Sequence, residues 1–163
     1  MSTDRQFDEI YRRTRPSLSR YVARRVVGES ADVVDDVFLT AWRRRTDIPR
    51  EEDSQLMWLY AIARRKIANL VRWRSRLDRF HQATNPLAEV TVSHLSSETS
   101  ILVHDCLRRL TKNDREILLL IEWDGCTVRE AATVLNITEG AATKRIKHAR
   151  ESFVELYSAS STE

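Results

Sequence analysis

The chain has 163 residues, with 27 Lys and Arg against 24 Asp and Glu, a formal net charge of +3, and only three glycines and three prolines. Its length suits one ordinary domain or two small ones, and so few breakers among Leu, Ala, Arg and Glu predict a mostly helical chain. No apolar run is long enough to span a bilayer, the opening MSTDRQFDEI is too polar for a secretory signal, and Cys106 and Cys126, far apart, make no recognisable framework, so no membrane insertion and a reduced, cytoplasmic setting are expected.

The charge is unevenly spread. Residues 1–79 hold 18 Lys/Arg and 12 Asp/Glu, whereas residues 80–163 hold 9 and 12, so the first half attracts an anionic partner more strongly. Phe7, Ile10, Tyr11, Leu18, Val22 and Val26 form a helical stripe. Pro16 is expected to break or kink that helix, and Gly28 to end it near Val27 in a GES turn.

A second helix follows, with Ser30 as the expected N-cap. Val33, Val34, Val37, Phe38, Ala41 and Trp42 make one apolar face. Asp32, Asp35 and Asp36 stand at the start of that helix and Arg43, Arg44 and Arg45 at its end. The carboxylates complement the helix dipole, an effect of about 0.3–1 kcal/mol each. The polar stretch TDIPREEDS then makes a loop containing Pro49.

A third helix is predicted from about Ser54 to Leu77, with Leu59, Ile62, Ala63, Ile67, Leu70 and Val71 inward. Its segment WLYAIARRKIANLVRWRSR carries Arg64, Arg65, Lys66, Arg72, Arg74 and Arg76 and no acid. Cations interleaved with aromatics suit a phosphate backbone and unstacked bases. An amphipathic core helix whose arginines merely stay hydrated fits the same residues, with Trp58 and Trp73 packing rather than stacking on bases.

Periodicity then fades, Ser and Thr become frequent, and Asn85-Pro86 appears, so residues 80–98 are expected to be a linker between a domain at 1–79 and another at 99–158, with 159–163 as a tail. Four shorter helices are predicted beyond it. Leu102, Cys106, Leu107 and Leu110 define the first; Ile117, Leu118, Leu120 and Ile121 the second, ended by Gly125.

The last two form a helix-turn-helix. Thr127 and Glu130 have capping-box spacing, Asn136 can take a left-handed conformation in the turn, Ile137 is expected to plug it, and Thr138 to cap the final helix. That helix turns Ala142, Ile146, Ala149 and Phe153 inward and presents Glu139, Thr143, Lys144, Lys147 and Arg150, as a recognition helix entering a major groove would. Gly140 and Ala141 near its start permit close approach to DNA.

Catalysis is not expected. The chain has no Gly-rich phosphate loop, nucleophile elbow or paired-Cys metal spacing; His104 and Cys106 diverge on a helix, and His81, His94 and His148 have no evident partner. No catalytic residue, cofactor, metal or small-molecule substrate is therefore assigned.

Three segments in order, ADVVDDVFLTAWRR, WLYAIARRKIANLVRWRSR and LRRLTKNDREILLLIEWDGCTVREAATVLNITEGAATKRIKHAR, resemble the extracytoplasmic-function (group 4) sigma factors of bacterial RNA polymerase, from Phe7 to about Tyr157. The resemblance implies an all-α protein of two small helical domains, sigma region 2 and a region 4 helix-turn-helix. It implies that Asp32, Asp35 and Asp36 face the clamp helices of the polymerase β′ subunit. It further implies that Asp47 to Asp53, Arg50 among them, capture a flipped minus-10 base, and that Trp58, Arg64, Arg65, Lys66, Arg72, Arg74 and Arg76 hold minus-10 DNA. Region 4 would touch the β flap and read minus-35 DNA through Thr127, Thr138, Glu139, Gly140, Ala141, Thr143, Lys144, Arg145, Lys147 and His148. The linker would run through the active-site cleft and RNA exit path. Core polymerase, promoter DNA and an anti-sigma factor are the implied partners, and no extra sensory domain is expected after region 4.

The chain departs from the family pattern at Gly140 to Arg145, where GAATKR replaces the usual GTVKSR; Ala131 stands for a larger aliphatic and Thr111 for Pro, though Thr111 can itself cap the next helix. A stand-alone helix-turn-helix regulator is the alternative. It explains residues 127–153 but leaves the acidic and basic helices without a role, and no dimer seam is visible.

Overall fold

The computed structural model describes residues 3–81 and 98–161, and the chain divides into two compact units, Met1–Glu89 and Val90–Glu163. All regular structure among the described residues is helical. The first unit holds α1 (Thr3–Ala23), α2 (Ser30–Arg43), a 3-10 turn (Arg45–Asp47) and α3 (Glu52–His81). The second holds α4 (Glu98–Arg109), α5 (Lys112–Leu118), a π turn (Leu119–Trp123), α6 (Val128–Leu135) and α7 (Glu139–Ser160). Apart from its two ends, the segment expected to be a linker lies outside the described residues.

The first unit is a three-helix bundle. Leu18, Tyr21 and Val22 of α1 are fully buried with Val37 and Ala41 of α2 and Leu59, Tyr60 and Ala63 of α3. Burying each large side chain stabilises the unit by about 1.5–3 kcal/mol. Aromatic pairs join the helices: Tyr21 stacks on Tyr60 at 4.3 Å, Tyr11 meets Phe38 at 4.5 Å, and Phe7 stands edge-on to Trp42 at 5.1 Å. Leu70 and Val71, expected to face inward, are only half-buried.

Three local expectations are corrected. Pro16 does not interrupt α1. It removes the N–H that would bond to Arg12, but both residues are exposed, so water can satisfy the released carbonyl while Leu18, Tyr21 and Val22 hold the helix to the core. α1 stops at Ala23 rather than near Val27, and the chain turns through Gly28 at φ +90°. Ser30 does not cap α2; Glu29 occupies that position and makes no side-chain cap, its carboxylate instead accepting from Arg74 Nη2 at 2.9 Å.

In the second unit α7 lies against α4, α5 and α6 through its buried Ala142, Ile146 and Ala149. Cys106, Leu107, Ile117 and Leu120 are fully buried in the same core. Thr111 caps α5, its hydroxyl accepting from Asp114 N at 3.2 Å. Arg115 closes the end of α4: Nε donates to the Leu107 carbonyl at 2.7 Å, and Nη2 donates to those of Arg108 at 2.9 Å and Leu110 at 3.2 Å. Burial, and secondarily the nearby Arg108 charge, push the Arg115 pKa down from its ordinary value, yet a guanidinium remains protonated. Both cysteines are buried, and neither forms a disulfide.

Candidate nucleic-acid interface

The α6–α7 hairpin is built from short-range hydrogen bonds. Thr127 N–H donates to Glu130 Oε2 at 2.7 Å, and Glu130 N–H donates to Thr127 Oγ1 at 3.2 Å, completing the capping box. Asn136 takes φ 54° and ψ 48°, the left-handed turn expected of it. Ile137 donates its N–H to the Ala132 carbonyl at 3.0 Å, and its side chain is half-buried rather than a sealed plug. Ala141 N–H donates to Thr138 Oγ1 at 3.1 Å, which sets where α7 begins.

The front of α7 is less uniformly basic than its sequence suggests. Lys144 is exposed and Arg145 half-buried, and neither forms an ion pair among the described residues. Lys147 lies 4.0 Å from Glu151 with both ends in water, so that contact leaves it available. Arg150 is taken up by Glu122, with Nη2 2.6 Å from Oε1. His148, expected to be without a partner, has Nδ1 3.3 Å from Asp114 Oδ1 on α5. Its side chain remains 67% exposed. The Thr143 hydroxyl donates to the Glu139 carbonyl at 2.9 Å, and Glu139 lies 3.7 Å from Arg129. A Cβ at Gly140 would meet nothing within 4 Å, so the unit itself does not demand glycine there.

On α3, Arg65 and Arg76 are exposed and Arg64 is half-buried. Arg72 Nη2 donates to Asn69 Oδ1 at 2.6 Å. Lys66 and Arg74, eight positions apart and thus on one side of the helix, turn toward the start of α2. Lys66 Nζ lies 2.8 Å from Asp36 Oδ2, and Arg74 Nη2 donates to Glu29 and, at 3.2 Å, to the Val27 carbonyl. Asp36 is thereby paired with α3, and Asp32, Asp35 and Asp36 are all exposed. Trp58 is half-buried under the Arg44 guanidinium, 5.6 Å from its ring centroid. Trp73 does not pack as expected: it is 55% exposed and forms, with Leu77 and Phe80, an i, i+4, i+7 apolar stripe.

The loop between α2 and α3 borders a hollow of about 400 Å³, with Ile48, Pro49 and Arg50 on one side and Phe7 and Ile10 of α1 on the other. Asp47 is not part of its lining and lies 3.1 Å from Arg44 Nε. Sequence reasoning passed over Arg13 and Gln55. Gln55 is buried, accepts a hydrogen bond from Arg13 Nη2, and donates from Nε2 to the Pro49 carbonyl at 2.9 Å. Gln55 stands where the polar EEDS gives way to the apolar LMWLY, a place where a glutamine draws no notice.

Two family profiles match this arrangement unit by unit: sigma-70 region 2 over residues 10–77, and sigma-70, region 4, over residues 100–153. The chain belongs to the sigma-70 family. It is an RNA polymerase sigma factor of the extracytoplasmic-function group. It is similar to the ECF RNA polymerase sigma factor SigK of Mycobacterium tuberculosis, 25% identical over 154 residues that cover 90% of this chain and 82% of SigK. BldN of Streptomyces coelicolor is 28% identical over 144 residues, covering 83% of this chain and 54% of BldN. Among solved structures, CnrH in complex with the cytosolic domain of CnrY superposes with a TM-score of 0.67 at 25% identity, over 96% of this chain and 90% of that one. The sigma factor RpoE from Bartonella quintana, solved with the anti-sigma factor NepR, shares the fold with a TM-score of 0.71 at 20% identity, over 93% of this chain and 96% of that one.

Region 2 ahead of the helix-turn-helix does not favour a stand-alone regulator. Sigma factors bind RNA polymerase and promoter DNA and are regulatory rather than catalytic. No described helix of this sigma factor is long and apolar enough to cross a membrane.

Proposed function

We propose that the two units divide the work of promoter recognition. The first unit docks on the β′ clamp helices through the exposed carboxylates Asp32 and Asp35, with Asp36 at the edge of the contact. It then holds the opened minus-10 element against the basic side of α3. The observation that carries this reading is the segregation of exposed charge: Asp32 and Asp35 stand open at the start of α2, whereas Arg65, Arg72 and Arg76 stand open on α3. Like surfaces meet unlike partners, so the acidic end suits a basic protein and the cationic helix suits phosphate.

The second unit places α7 in the major groove of the minus-35 element and touches the β flap. Lys144, Arg145 and Lys147 provide phosphate or base contacts, and the small Gly140 and Ala141 let the backbone approach. The reacting centre belongs to the polymerase, so this chain needs no catalytic side chain. A cytoplasmic setting follows from that partner. Regulation by an anti-sigma factor is supported by the complexes that CnrH and RpoE form with their own partners.

The test is co-elution with core RNA polymerase at low salt, comparing the wild type with Asp35→Arg and with Arg65→Glu. Asp35→Arg is expected to lose core binding, and Arg65→Glu to keep it while losing the open complex. Core binding retained by both would remove the acidic end of α2 from the polymerase interface.

A further inference from the structure

We propose that Gln55 is a positioning residue for promoter opening: its carboxamide holds the α2–α3 loop in the shape that receives a base, an inference that rests on the minus-10 reading of that loop. The loop has few anchors of its own. Asp47 N–H reaches the Arg44 carbonyl at 2.8 Å and Ser54 N–H reaches that of Glu51 at 3.1 Å, both within three residues. Pro49 between them has no N–H to donate. Its carbonyl ties the middle of the loop to α3, accepting from Gln55 Nε2 at 2.9 Å.

Gln55 is itself fixed in orientation. It is 7% exposed. Arg13 of α1, 42 residues away in sequence, donates to its Oε1, and Arg13 Nη1 is held 2.9 Å from Glu52 Oε1 at the start of α3. A guanidinium can only donate, so it selects the amide rotamer with oxygen toward α1 and nitrogen toward the loop. The chain Glu52, Arg13, Gln55, Pro49 therefore transmits the register of α1 against α3 to the backbone beside the hollow bordered by Ile48 and Arg50. A pocket must be rigid before the base arrives if base capture is to favour the melted state.

Gln55→Glu separates this role from simple packing. A carboxylate keeps and strengthens the Arg13 contact, so the tie between α1 and α3 survives. Its second oxygen, however, now faces the Pro49 carbonyl, acceptor against acceptor, and the loop is released. Arg13→Met is the complementary change: it leaves the donor to Pro49 but no longer fixes which way the amide points.

The experiment uses holoenzyme reconstituted with core polymerase and selected on a random-sequence duplex DNA library, with bound fragments sequenced. For Gln55→Glu the base preference at minus-10 is expected to fall about tenfold, the factor carried by a buried acceptor losing its donor. Preference at minus-35 and core affinity stay at the wild-type level. Arg13→Met is expected to give a smaller loss confined to the same positions. An unchanged minus-10 profile in Gln55→Glu overturns the proposal. So does an equal loss at minus-10, minus-35 and core binding with a lowered melting temperature, because Gln55 would then only stabilise the unit. A wild-type holoenzyme with no minus-10 preference would instead remove the reading of the loop itself, and the positioning role with it.

Discussion

Replacing Arg115 by methionine tests how the second unit holds α4. The guanidinium donates to the Leu107, Arg108 and Leu110 carbonyls at the end of that helix, at 2.7, 2.9 and 3.2 Å. Terminal carbonyls of a helix have no partners within it, and a cation there also meets the negative end of the dipole. A hydrogen bond to a charged group contributes about 1.5–3 kcal/mol and the dipole about 0.3–1 kcal/mol. The three bonds share one half-buried group, so they do not add, and a loss of about 2–3 kcal/mol is expected for Arg115→Met. In native-state hydrogen exchange this loss lowers protection across α4–α7 by about 30- to 150-fold. Amides of α1–α3, in the other compact unit, serve as the internal control. Arg115→Lys keeps the charge but not the fork of donors, and is expected to recover less than half of the loss. Unchanged protection in Arg115→Met, or full recovery in Arg115→Lys, would refute the argument that three directed hydrogen bonds end this helix.

Removing the cap of α7 by Thr138→Ala is expected to cost about 1 kcal/mol by urea unfolding and to weaken minus-35 duplex binding by the holoenzyme, with Thr138→Ser restoring both. The Asp36–Lys66 pair has side chains 50% and 29% exposed; a double-mutant cycle with Asp36→Asn and Lys66→Met is expected to give a coupling below about 1 kcal/mol, and a larger value would mean that the bundle depends on it. Burial, with the Asp105 charge second, pushes the Cys106 thiol above its ordinary value of 9.0. The folded state then keeps a proton that the unfolded chain releases, so this group's contribution is intact below that value and lost as pH rises beyond it. Cys106→Ala is accordingly expected to flatten the alkaline decline of stability, and native Cys106 to resist iodoacetamide at neutral pH; rapid labelling would contradict its burial.

The caps and the turn of the helix-turn-helix were legible because their chemistry is local. Thr127 and Glu130, Asn136, and Thr138 with Ala141 act within three or four positions of one another, where helix geometry alone places donor and acceptor. The apolar faces of α1, α2 and α3 were legible for the same reason, since a period of 3.6 residues defines a buried side without naming what covers it. Acidic and basic character could likewise be assigned to α2 and α3 from composition.

What a charged or polar side chain does with its partner was decided by the tertiary structure. Lys66 and Arg74, which the resemblance implies as minus-10 contacts, are brought to Asp36 and Glu29 by the packing of α3 on α2. Arg150 reads as part of a recognition face, but Glu122, 28 residues earlier, takes it. His148 meets Asp114, 34 residues earlier, on α5. Pro16 reads as a helix breaker, but core contacts on either side of it outweigh one lost hydrogen bond facing water. Gln55 gave no sign of its role because Arg13, 42 residues earlier, becomes its neighbour only when the bundle closes. Sequence alone determined which helices form and which sides they bury, because those are properties of spacing. Only the fold decided which cations are paired within a unit, because a charge meets whatever lies across the interface, however distant in the chain.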